Sequence, residues 1–297
     1  MLVVNQKLLV KTIRMMERKM IQASSLKPIK TPEVEREERL VETRYGNTRV
    51  ITYRPRGMKE EKLPAYVTMH GGGFVMGNAE LDDAWCPVIA ERAGCVVVNI
   101  DYRLAPEYKF PTALYECYDI VKWLYENPWV LQIDKERIAV GGNSAGGNLA
   151  AALCLLNKEQ EQIPIVKQVL NYPPLDLATD PELKIKHKKA IPPRLAKLFN
   201  ESYLKNMKEA ENPLVSPIYA ENLEDLPPAL IITAEFDSLA DEANYYASQL
   251  LEAGVRVKTK KYLGAHHAFT HTGNIEQAED AWYLISNELK EVFYQTT

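Results

Sequence analysis

At 297 residues, with 46% hydrophobic and 26% charged residues, the chain can bury one large core or two smaller ones and has the balance of an ordinary globular protein. A formal net charge of -4, with basic residues only in local clusters, gives no general attraction to nucleic acid and argues against a polyanion-binding role. The four cysteines, Cys86, Cys95, Cys117 and Cys154, form no C-x-x-C pair and no disulfide-framework spacing, so they read as small core hydrophobes in a reducing, cytoplasmic setting.

Residues 3 to 22 place Leu9, Ile13, Met16 and Met20 on one helical face and Lys7, Lys11, Arg14 and Arg18 on another. Such a basic face can meet an anionic membrane, but a solvated face on a helix packed against the body is the commoner outcome. Polar residues Asn5, Gln6, Lys7 and Lys11 break any signal-peptide core, so neither a signal peptide nor a membrane span is expected. Pro28 and Pro32 close that segment, and the charged run 33–39 leads into a predicted hairpin of 41–45 and 49–53 turning at Gly46-Asn47.

A third strand, 65–69, ends in His70-Gly71-Gly72-Gly73-Phe74, and strands and helices then alternate. Helix 80–93, strand 95–100, helix 112–126, strand 137–140, a helix through 148–153, strand 166–170, strand 228–233, helix 239–253, strand 255–262 and helix 275–293 are predicted. That order predicts an α/β fold with a mostly parallel sheet covered on both faces. Residues 177–212 lack strand patterning, carry two helix-like pieces, one of them around Pro193 to Met207, interrupted by Pro181 and Pro192-Pro193, and read as an insertion. One α/β domain over 1–297 with an amino-terminal piece and an internal insertion is the simplest account.

Chemistry centres on Gly142-Asn143-Ser144-Ala145-Gly146, a G-x-S-x-G between an apolar strand and a helix-compatible run. A serine hydroxyl needs a base to take its proton and an acid to orient that base. His266 and His267 sit in a loop just past a predicted strand, and Asp237 stands in the same relation to the strand before it, with Glu235 and Asp241 as competitors. Asp241 reads instead as the start of a helix, where an acid meets the dipole. The Gly71-Gly72-Gly73 run frees backbone N–H groups to face an anion, together with that of Ala145. A phosphate-cradling loop would need the lysine of G-x-x-x-x-G-K-S/T, which is missing. His267 and His271 stand at zinc-compatible spacing, yet no glutamate follows the first histidine, and no metal or other cofactor is expected.

HGGGF at 70–74, DYRLAPE at 101–107, GNSAGGN at 142–148, LPPALIITAEFDSLADE at 226–242 and HAF at 267–269 together resemble the hormone-sensitive-lipase family of α/β-hydrolase esterases over almost the whole chain. The resemblance implies Ser144 as nucleophile, Asp237 as acid, His267 as base, and Gly72, Gly73 and Ala145 as oxyanion donors. It implies a helical cap formed by about 1–35 and 177–212, short- to medium-chain esters as small-molecule substrates, and a homodimer as an allowed assembly. His266 then reads as a packing residue, and the charges of Asp101, Arg103 and Glu107 as structural. Two positions depart from the pattern: Asn143 stands where the family commonly has Asp, and Ala268 where it commonly has Gly. An amidase or deacetylase would use the same groups, and a ligand receptor like the plant gibberellin receptors would lack the histidine that this chain keeps. The lysine-rich run 182–189 is left without a role.

Overall fold

The computed structural model describes residues 10–15, 26–58, 62–160 and 163–295. Its frame is an eight-stranded sheet in the order β1-β2-β4-β3-β5-β6-β7-β8. The strands are β1 (Val34–Thr43), β2 (Gly46–Pro55), β3 (Leu63–Met69), β4 (Val96–Asp101), β5 (Ile133–Asn143), β6 (Ile165–Asn171), β7 (Ala229–Phe236) and β8 (Val257–His266). Only the β1–β2 and β2–β4 pairings are antiparallel; from β4 onward every neighbour is parallel. Parallel strands are covered on both faces, which is why β3 is buried throughout and β4 can be a nearly unbroken apolar run.

The hairpin differs from expectation in extent and turn. The charged run that looked like a lead-in is itself most of β1, and Thr43 pairs with Gly46, so the turn falls on Arg44 and Tyr45 rather than Gly46-Asn47. β1 is an edge strand with a solvated side, where alternating charges are tolerated and discourage pairing with other chains.

Helices α1 (Cys86–Ala93) and α7 (Ile275–Tyr294) pack together on one face of the sheet, with Trp85 stacked on Trp282 at 5.6 Å. α2 (Thr112–Glu126), α3 (Ala145–Glu159) and α5 (Ala240–Glu252) contribute to a second core on the other face. α7 begins where Asn274 accepts hydrogen bonds from the N–H groups of Glu276 and Gln277, at 2.8 and 3.1 Å. A single helical turn, α6 (Phe269–Thr272), joins β8 to α7. All four cysteines are buried and unpaired.

Between β6 and β7 the insertion holds one regular helix, α4 (Pro193–Tyr203), and short 3-10 turns at Pro181–Leu183, Met207–Glu211 and Pro217–Tyr219. The helix expected to reach Met207 stops at Tyr203, because Asn206 caps a separate turn by accepting from the Lys208 N–H at 3.0 Å. Tyr203 anchors α4 to the body, stacking on Phe74 at 3.9 Å and meeting Phe110 edge-on at 5.9 Å. Of the expected amino-terminal helix, 10–15 are helical, while Lys7, Leu9, Met16, Arg18 and Met20 lie outside the described residues. Arg14 ties that stretch to the body, donating to the Val75 and Ala105 carbonyls at 2.5 and 2.6 Å and pairing with Glu107 at 2.8 Å.

Candidate active site

β5 ends at Asn143, α3 begins at Ala145, and Ser144 alone makes the turn, at φ 52 and ψ -119. A non-glycine residue at positive φ is held there only when its surroundings over-determine it. Here the constraint is close backbone contact: a Cβ on Gly146 would lie 2.0 Å from the Met69 carbonyl oxygen, and one on Gly142 would lie 2.5 Å from the Gly146 carbonyl carbon. The Ser144 N–H donates to the Asn171 carbonyl of β6 at 2.8 Å, which locks the turn to the neighbouring strand.

Ser144 Oγ lies 2.8 Å from His267 Nε2, and His267 Nδ1 lies 2.7 Å from Asp237 Oδ2. Asp237 follows the last residue of β7 and is buried; its other oxygen accepts the Leu239 N–H at 3.1 Å. An aspartate acceptor at Nδ1 puts the ring proton there and leaves Nε2 free to accept from the serine hydroxyl. The Tyr172 ring meets His267 edge-on at 5.0 Å, and burial pushes the Tyr172 phenol well above its ordinary range, so it stays a neutral donor.

The glycine run lies on the other side of Ser144. Gly72 and Gly73 sit at φ +127 and +58, and among the described residues no backbone acceptor takes either N–H. The Gly72 carbonyl turns away and accepts from Val75 and Met76, each at 3.1 Å. His70 props the run from behind: its buried ring donates from Nδ1 to the Gly71 carbonyl at 2.7 Å and stacks on Tyr102 at 4.2 Å. Burial lowers the His70 pKa, which keeps that ring neutral. Together with the N–H of Ala145, the first residue of α3, these amides can face a developing negative charge.

A cavity of about 770 Å³ opens onto Ser144, His267 and the glycine run. Its far wall comes from the insertion, including Leu177, Ile185, Ile191, Leu195 and Phe199, and from Ile13 of the amino-terminal stretch. Gly73 is required by that wall as well as by its φ, since a Cβ there would lie 2.3 Å from the Phe199 ring.

The competing residues lie elsewhere. Glu235 accepts the Gly264 N–H at 2.6 Å on the strand, and Asp241 sits in the first turn of α5. His266 is half-buried and donates from Nδ1 to the His267 carbonyl at 2.7 Å. Arg103 forms an ion pair with the buried Glu116, and Asp101 pairs with Arg49 at 3.0 Å, so those charges brace loops. Within the lysine-rich run, Lys184 pairs with the buried Glu242 of α5, and His187 stacks on Phe236 at 4.0 Å. Asp82, Asn171, Tyr172 and Thr270 belong to no motif that would single them out in the sequence: Asp82 ends the 3-10 turn Ala79–Asp82, Asn171 ends β6, Tyr172 follows it, and Thr270 lies in α6. Among the described residues no group of three or more His, Cys, Asp or Glu is arranged to hold a metal ion, and His271 turns instead to Asp82 at 2.7 Å.

A sheet of this order with a serine on the sharp turn between its central strand and the following helix defines the α/β-hydrolase fold. The sequence profile described as alpha/beta hydrolase fold matches residues 66–271. The chain is 37% identical to the arylesterase of Saccharolobus solfataricus over 230 residues, 75% of this chain and 73% of that one. It is 32% identical to the ethyl acetate hydrolase of Pseudomonas putida over 231 residues, covering 76% and 73% of the two chains. Among solved structures, the hyperthermophilic esterase of Pyrobaculum calidifontis is 38% identical with a TM-score of 0.83 over 95% of this chain and 93% of that one. The chain belongs to the α/β-hydrolase family, in its hormone-sensitive-lipase-like branch.

Proposed function

We propose that the chain is a carboxylic ester hydrolase that works through an acyl-Ser144 intermediate. The observation that carries this reading is the unbroken hydrogen-bonded line from Asp237 through His267 to Ser144, ending beside the Gly72 and Gly73 amides. The ester-hydrolase names of its relatives support it. Ser144 Oγ attacks the ester carbonyl while His267 Nε2 takes its proton; the N–H groups of Gly72, Gly73 and Ala145 hold the oxyanion. His267 then protonates the departing alcohol, and water repeats the cycle on the acyl-enzyme. Asp237 keeps the ring oriented and stabilises its charged form.

The segments 1–35 and 177–212 act as the cap in this reading. The apolar side chains that the insertion contributes to the cavity wall favour short to medium acyl chains as the substrate class. A homodimer that paired edge to edge at β8 would set exposed Lys260 and Lys261 against their own copies, so sedimentation velocity at low and high salt is its test. Among the described residues no helix is long and apolar enough to cross a membrane.

Hydrolysis of p-nitrophenyl esters from acetate to palmitate tests the function. The parent should peak at short or medium chains, and Ser144→Ala should lose on the order of 10⁶ in turnover. Retention of most activity by that variant would remove Ser144 from the mechanism.

A further inference from the structure

Behind the serine turn lies a closed ring of buried polar side chains that the hydrolytic steps leave unused. Asp82 Oδ1 accepts from His271 Nε2 at 2.7 Å and from Asn143 Nδ2 at 3.1 Å. Asn143 Oδ1 accepts from Asn171 Nδ2 at 2.8 Å, and the same Nδ2 reaches Thr270 Oγ1 at 3.4 Å. Thr270 Oγ1 lies 3.0 Å from His271 Nδ1, and the Tyr172 hydroxyl bridges to both. His271 Nε2 therefore carries a proton, and the ring returns to Asp82. Asp82, Asn143, Asn171, Tyr172 and Thr270 are all at most 3% exposed.

Four members of this ring adjoin the proposed machinery. Asn143 directly precedes Ser144; Asn171 accepts the Ser144 N–H through its carbonyl; Tyr172 packs its ring against His267; His271 shares a tight turn with the base, its N–H donating to Ala268 at 2.9 Å. Asp82 is the ring's one carboxylate, and its second oxygen is buried with no partner among the described residues. A buried carboxylate with one oxygen unsatisfied is costly to fold around, which calls for an explanation beyond packing. The ring also accounts for Asn143: its amide donates to Asp82, whereas an aspartate there would offer no donor and would set a second buried carboxyl group at about the same 3.1 Å.

We infer that Asp82 and His271 are a positioning pair: through Asn143 and Tyr172 they hold the nucleophile's turn and the face of the base in register. The inference rests on the ester-hydrolase reading. Its test measures kcat and KM per serine titrated with a fluorophosphonate, so that misfolded protein is not counted. Asn143→Asp, which sets two carboxylates against each other, and His271→Ala, which opens the ring, should each lower kcat about tenfold or more with KM changed less than twofold. The double exchange Asp82→Asn with Asn143→Asp moves the carboxylate across the same hydrogen bond: the carboxylate still accepts from Asn171, the new amide donates to it and to His271 Nε2, whose ring proton moves to Nδ1 facing Thr270, and kcat should recover to within about threefold of the parent. Tyr172→Phe keeps the ring on His267, removes only the hydroxyl, and should lower kcat by about threefold. Unchanged kcat per titrated site in both Asn143→Asp and His271→Ala would overturn the inference, as would a loss carried wholly by KM, which would make His271 only a cavity wall. A parent that neither takes up the fluorophosphonate nor cleaves esters would instead overturn the reading beneath it.

Discussion

The turn at Ser144 and the insertion at 177–212 face each other across one cavity and are held by different means. At the turn, backbone meets backbone: Gly142, Gly146 and the Met69 carbonyl leave no room for a methyl group. Across the cavity, the insertion is held mostly by side chains, through Tyr203 in its aromatic pocket, His187 on Phe236 and Lys184 on Glu242, with one backbone bond from the Phe110 N–H to the Tyr203 carbonyl at 2.8 Å, and it leaves Leu183 exposed to 80%. Backbone contact admits one geometry, whereas side-chain contacts on short turns admit many sequences and shapes. Reactivity therefore belongs to the rigid side and selectivity to the adaptable one.

The largest effect should come from breaking the rigid side. Gly146→Ala forces a Cβ into the Met69 carbonyl and should cost about 3 kcal/mol or more, read as a lower urea midpoint. A matching substitution on the insertion's open surface, Leu183→Ser, should stay within about 0.5 kcal/mol, and a larger loss there would erase the contrast.

Glu242 tests how the insertion is anchored. Burial pushes its carboxyl up to about 7, against the pull of Lys184 and the Leu175 and Asp176 amides. The unfolded chain ionises such a group near its ordinary value of 4.5, so between there and 7 the folded state holds a proton that the unfolded state has released. This group's contribution to stability is thus greatest below 4.5 and falls as pH rises through 7. Relative to the parent, Glu242→Gln should gain on the order of 3 kcal/mol between pH 4 and pH 8, measured by urea unfolding at each pH. A difference that does not change with pH would place the proton elsewhere.

The smallest effect sharpens the rigid side. Ala268, next to His267, sits at φ 58, a left-handed conformation that costs a residue with a Cβ. Ala268→Gly should raise stability by about 1 kcal/mol, less the chain entropy that glycine adds to the unfolded state, and a differential scan would show a higher Tm.

Much of this was legible in the residues. Apolar runs and their spacing placed seven of the eight strands to within about four positions, and helix α2 fell at 112–126 as expected. Ser144 stood out because glycines two positions either side mark a sharp strand-to-helix turn, although the tightest contact that demands Gly146 is with the Met69 carbonyl of β3. The errors were local too: charged residues hid β1 because edge strands tolerate them, and Asn206 ended a helix that composition alone would have continued.

What the sequence by itself determined was therefore the order of elements and the kinds of reactive group available, since hydrophobic period, glycine freedom and turn chemistry act over short stretches of chain. The tertiary structure alone decided which groups meet. Ser144 and His267 are 123 positions apart, and Asp82 and His271 are 189 apart, brought together by sheet order and by the 3-10 turn Ala79–Asp82 meeting the helical turn α6. No local propensity carries that pairing, so a ring of ordinary asparagine, tyrosine and threonine side chains becomes visible only when the strands are laid side by side.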